Sequence, residues 1–229
     1  MLRENLRPIP RCYTPRPMAT ASGSGGAGAR RLKKAIEFAY YSTLRAMRGL
    51  FGLHTALKTP DRLVLDGVLL PALAADPEYR RVIFVGCDWY TRHYEGMFAG
   101  RDYWTIDMDP SRARYGAKQH LIGPMVDIGI RFDESSVDLI ICNGVIGWGL
   151  NDPAQVDASL AACARVLRPR GVLLLGWNDI PEKRVVSLDS IPALKAFRPF
   201  AVAGQSVFRT ATYNHHTFSL FEKVGNPAG

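Results

Sequence analysis

Asp107 lies 21 residues beyond Gly86, and each closes an apolar run, Val82, Ile83, Phe84 and Val85 before the glycine and Tyr103 to Ile106 before the acid. At that spacing a nucleotide-binding α/β fold carries a carboxylate at the tip of its second strand, where it accepts hydrogen bonds from ribose hydroxyls. A pyrophosphate would need a glycine-rich turn that bares backbone amides. Here the glycine is followed by Cys87, Asp88, Trp89 and Tyr90. An acid for ribose without a cradle for phosphate predicts an adenosine ligand that has no phosphate, and S-adenosylmethionine is such a ligand.

Positioning these residues requires a sheet. Apolar runs predict strands over 81–85, 103–107, 121–126, 137–142 and 172–176, with helices over 91–98 and 154–167 between them. The second helix places Val156, Leu160, Cys163, Ala164 and Leu167 on one face. Fully apolar strands alternating with helices predict a Rossmann-like, mostly parallel sheet covered on both faces. The stretches 197–202 and 217–221 read as two closing strands, one of them antiparallel. A helix starting near Thr59, with Pro60 in its first turn, carries Leu63, Val64, Val68 and Leu69 and is interrupted by Pro71. Upstream, Leu32, Ile36, Ala39, Tyr40, Leu44, Met47, Leu50 and Phe51 recur at helical spacing. The helices within 30–76 are thus expected to cap the core at 81–223.

The chain of 229 residues suits a single domain of 30–229 behind a tail of 1–29 rich in Pro, Gly, Ser and Arg, which has too few apolar residues to order itself. Of the net charge of +8, nearly all lies in residues 1–34, which hold eight of the 29 basic residues and one of the 21 acidic ones. The remaining 21 basic and 20 acidic residues nearly cancel, which argues against a phosphate-binding groove for nucleic acid. Cys12, Cys87, Cys142 and Cys163 have no metal-ligand spacing, and three sit in apolar patterns, so buried thiols and a reducing, cytoplasmic setting are expected. An organellar address is the alternative if the Arg-rich tail is a transit segment. No apolar run approaches the ~18 residues of a spanning helix. The oligomeric state leaves no mark in the sequence.

The order of these parts resembles the class I methyltransferases that use S-adenosylmethionine, in particular the type 11-like branch. The resemblance rests on VIFVGC for the first-strand motif and WTIDMDP for the ribose acid with its following Pro. It rests further on FDESSVDLIICNGVIGWGL for the fourth strand and its loop, and on SLAACARVLRPRGVLLLGW for the helix, turn and fifth strand. It implies cofactor contacts at Gly86, Cys87, Asp88, Asp107, Met108, Asp127, Asn143 and Gly144, with Asp127 on the adenine amino group. The family's acid before the first glycine and its two later glycines are replaced by Phe84, Asp88 and Tyr90. Asp88 has two readings, an acceptor for the cofactor's ammonium or a cap on the next helix. Where relatives carry a loop His, this chain has Trp148.

Methyl transfer from a sulfonium is an in-line displacement that positioning and aromatic faces can accelerate. Asp179, Asn178 and Trp148 are the catalytic candidates, and His93, His215 and His216 are further bases, of which the adjacent pair can offer at most one to a pocket. The sequence thus implies methyl transfer to a small-molecule acceptor. The alternative is a non-catalytic relative that binds an adenosine ligand or serves as an interaction module.

Overall fold

A computed structural model describes residues 57–180, 186–212 and 215–225, together with Leu32, Ala35, Ile36, Ala39, Tyr40, Ser42 and Thr43. The chain divides into two compact units, Met1–Ala46 and Met47–Gly229. In the first, the seven described residues are helical, and Leu32, Ile36 and Tyr40 are exposed. The expected tail over 1–29 lies outside the described residues.

The second unit is built on eight strands: β1 Arg81–Val85, β2 Asp102–Asp107, β3 Gln119–Ile122, β4 Val137–Asn143, β5 Leu167–Asn178, β6 Phe197–Pro199, β7 Val207–Arg209 and β8 His216–Lys223. Their order is β3-β2-β1-β4-β5-β8-β6, with β7 also pairing β8. The first five run parallel, and β8 is antiparallel to β5, β6 and β7. This is the predicted mostly parallel sheet, with one more closing strand than the sequence pattern reveals.

The period of two along each strand divides the core. Ile83, Val85, Ile140, Cys142, Leu173 and Leu175 face helix Pro153–Val166, which buries Val156, Leu160, Cys163 and Val166 against them. That helix starts where Asp152 accepts from the Gln155 amide and Pro153 supplies a preset first turn. On the other face, Val82, Phe84, Leu139, Ile141, Val172 and Leu174 pack against Leu65, Leu69, Leu70 and Leu73.

These four leucines lie on α1 Pro60–Val64, a π-helical turn Leu65–Leu69 and α2 Leu70–Ala75. The sequence predicts interruption at Pro71. Instead the helix continues through it, because the wide turn, closed by the Leu70 amide on the Leu65 carbonyl, absorbs the missing proline donor. Leu63, expected on the buried face, is exposed. The next helix, α3 Tyr94–Met97, is shorter than predicted, and α4 Ile128–Arg131 and α5 Pro153–Val166 follow.

Strand starts are held by charge. Asp138 accepts from the backbone amides of Arg80 and Arg81 at 2.8 and 2.7 Å and from Arg168 Nε at 2.5 Å. One carboxylate therefore fixes β1, β4 and β5 at the end opposite the site.

Candidate active site

At the carboxyl ends of β1, β2, β4 and β5 the described chain opens into a cleft of about 590 Å³. Ligands collect at such ends in open α/β sheets, and the volume suits small-molecule binding. The chain leaves β1 through Gly86 at φ +87°, a region that disfavours side chains, and a Cβ there would lie 2.9 Å from Val145 Cγ2. Asp107 reaches back from β2, its Oδ2 accepting from the Cys87 amide at 2.7 Å and its Oδ1 from the Asp109 amide at 2.9 Å. Its carboxylate therefore joins the two strand tips and faces the cleft. Asp109 caps the following 3-10 turn by accepting from the Ser111 amide. Burial, with Asp107 adding, pushes the Cys87 thiol up to about 12, so Cys87 is a protonated wall residue and no nucleophile.

The floor is a buried polar trio. His216 Nδ1 lies 2.7 Å from Asn178 Oδ1, and its Nε2 lies 2.9 Å from Asn143 Oδ1. A neutral imidazole donates only once, so one of the two amides turns its NH₂ to the ring. Burial pushes His216 down to about 4, with Asp61 opposing and Arg62 reinforcing the shift. Gly176 makes the trio possible, since a Cβ there would fall 2.0 Å from Asn143 Oδ1.

A second polar group comes from α1. Arg62, 8% exposed, sets its guanidinium 4.5 Å over the ring of Tyr90 and donates from Nη1 to the Tyr94 hydroxyl at 3.0 Å. Tyr94 donates in turn to Asp66 Oδ1 at 2.5 Å, and its ring meets Phe84 edge-on. Phe84 is core, 1% exposed, so the position that carries an acid in the resembling family is apolar here.

The structure brings Gly86, Cys87, Asp88, Asp107, Met108, Asn143, Gly144, Trp148 and Asn178 to this cleft. Asp127 and Asp179 are not among its lining residues. Asp127 turns toward its own loop, its Oδ2 2.7 Å from where a Gly123 Cβ would stand. Asp179, just past the end of β5, lines a separate cleft with Trp177, Asp189 and Lys195. Asp88 is held within the protein and does not cap the next helix. Its Oδ2 pairs with Arg112 Nη1 at 2.5 Å, its Oδ1 accepts from the Trp89 amide at 2.7 Å, and α3 begins at Tyr94.

Sequence reasoning missed Asp61, Arg62 and Arg112 and gave His216 only as one of a pair. The strand alternation of His215-His216 was the available signal; the first turn of α1 offered none. Among the described residues no group of His, Cys, Asp and Glu could hold a metal ion. No helix among them is long and apolar enough to cross a membrane.

The residues fit an adenosine cofactor. A carboxylate stands at the β2 tip, and Met108 Sδ lies 3.6 Å from a Cβ position on Gly149 as one wall of a slot. Residues 85–175 match the family model described as methyltransferase domain. Among solved structures, the N-methyltransferase NodS from Bradyrhizobium japonicum WM9 superimposes with a TM-score of 0.55 at 15% identity, over 72% of this chain and 96% of that one. The same protein in complex with S-adenosyl-L-homocysteine gives 0.55 at 14% identity, over 71% and 87%. A TehB-like S-adenosylmethionine-dependent methyltransferase from Corynebacterium glutamicum gives 0.51 at 14% identity, over 82% and 99%. No curated protein matches the sequence.

Proposed function

We propose that this class I S-adenosylmethionine-dependent methyltransferase transfers its methyl group to a small molecule, one whose nucleophilic atom holds a free lone pair at neutral pH. The observation that carries the reading is the cleft itself, lined by the Asp107 carboxylate and by the His216–Asn143–Asn178 trio.

Asp107 accepts from the ribose hydroxyls while its backbone bonds to Cys87 and Asp109 hold it at the strand tips. Met108, Gly149 and Leu150 flank the adenine end. The bound cofactor supplies a sulfonium methyl for in-line displacement. His216 is neutral and each of its ring nitrogens is taken by an asparagine amide, so it orients the two amides and does not remove a proton. Trp148 lines the same cleft and shelters the acceptor side. Holding the acceptor close and dry then supplies the acceleration.

The near-neutral body beyond residue 34 supports a small acceptor over nucleic acid. The test supplies S-adenosylmethionine with an isotopically labelled methyl group together with a small-molecule extract, RNA and protein. Label recovered in a new low-molecular-mass compound that is absent without the protein is the expected result; label recovered in RNA or protein overturns the assignment.

A further inference from the structure

We propose that Asp61 and Arg62 hold the amino-acid end of the cofactor, Asp61 taking its α-ammonium and Arg62 its α-carboxylate. The inference rests on the reading that the cofactor lies in this cleft with its ribose at Asp107.

S-adenosylmethionine ends in a zwitterion, and two charges entering a partly sheltered cleft need partners there. The cleft offers six charged side chains: Asp61, Arg62, Asp88, Asp107, Asp109 and Arg112. Four of these are committed to each other or to the loops. Asp88 and Arg112 pair at 2.5 Å, Arg112 also stands 3.6 Å from Asp109, and both oxygens of Asp107 accept backbone amides. Asp61 and Arg62 differ. Their Oδ2 and Nε are 3.7 Å apart, too far for a hydrogen bond, and among the described residues Asp61 accepts none.

The position along the cleft agrees. Asp107 holds Cys87, the loop from Cys87 leads to Tyr90, and the Tyr90 ring carries Arg62. The pair therefore stands past the loop that Asp107 holds, and His216 on the floor of the cleft feels both charges. Adjacent residues of opposite sign also match a ligand whose two charged groups share one carbon. Arg62 is already oriented by the Tyr90 face and the Tyr94 hydroxyl, so little freedom is lost when a carboxylate docks.

The test compares two ligands in calorimetric titrations of the full chain. S-adenosylhomocysteine has the amino-acid end, and 5′-methylthioadenosine has the same nucleoside without it. Asp61→Asn and Arg62→Gln should each weaken S-adenosylhomocysteine by about tenfold or more while leaving methylthioadenosine within about twofold, as expected for loss of charge-assisted hydrogen bonds. Arg62→Lys, which keeps a cation over Tyr90, should recover part of the loss and guards against a variant that merely unfolds. A ratio of the two affinities that does not move in Asp61→Asn and Arg62→Gln, both still folded, overturns the proposal. Wild-type protein that binds neither ligand overturns the cofactor reading instead, a different result from an unmoved ratio.

Discussion

Asp88 and Arg112 meet at 2.5 Å across the cleft, tying the loop after β1 to the turn after β2. Both side chains are partly exposed, 23% and 38%, so the pair adds little to global stability. Its effect is on the shape of the ribose end. Asp88→Asn and Arg112→Gln should each weaken S-adenosylhomocysteine binding by a similar factor, and the double variant should be no worse than the weaker single one. A double-mutant cycle measures this; additive losses would show that each residue acts on the ligand separately.

Asp107 is used twice, by the backbone and by the ribose. Asp107→Ala should lower the affinity for both S-adenosylhomocysteine and methylthioadenosine by at least tenfold, about 1.4 kcal/mol or more. That parallel loss contrasts with the selective one expected at Arg62. Unchanged dissociation constants in a folded variant would remove Asp107 from the ribose site.

His216 gives the fold a sensitivity to acid. Its pKa in the folded chain is about 4, below the ordinary 6.5, so between these values the unfolded chain binds the extra proton. Stability from the neutral ring is then fully present above about pH 6.5 and is lost as the pH falls toward 4. Each pH unit in that window corresponds to about 1.4 kcal/mol. Urea midpoints taken from neutral pH down to about 5 should fall for the wild type and fall less for His216→Gln. Equal slopes would assign the acid loss to other groups.

Gly176 is the tightest position in the site. Gly176→Ala drives a methyl into the Asn143 amide and should destabilise by about 1–3 kcal/mol, as overpacking does. Thermal unfolding checks the stability, and loss of S-adenosylhomocysteine binding at a temperature where the variant remains folded checks the displaced amide.

The sequence made the frame legible where a local pattern carried it. β1 falls on the predicted residues 81–85 because an apolar run ends at a glycine. Asp107 stands at the end of β2, where its offset from Gly86 puts it. What escaped was non-local. His216 meets Asn143 across 73 residues, and Arg62 reaches Tyr94 across 32, so no spacing rule links them. Asp179 lies apart from this cleft for a smaller reason. Trp177 and Asn178, adjacent in β5, line different clefts, and Asp179, just past the strand, falls in with Trp177. The charge at Asp88 was read as serving the ligand or a helix, because Arg112 lies 24 positions away in a turn with no pattern of its own.

The wide turn at Leu65–Leu69 fits one residue more than a regular helix of the same rise, which makes it a tolerated insertion upstream of the leucine face. Deleting Gly67 would return Pro71 to a regular helix interior, where its ring meets the carbonyl four residues before it. The wide turn is thus what lets one continuous helix carry Asp61 and Arg62 to the cleft and still present Leu65, Leu69, Leu70 and Leu73 to the core.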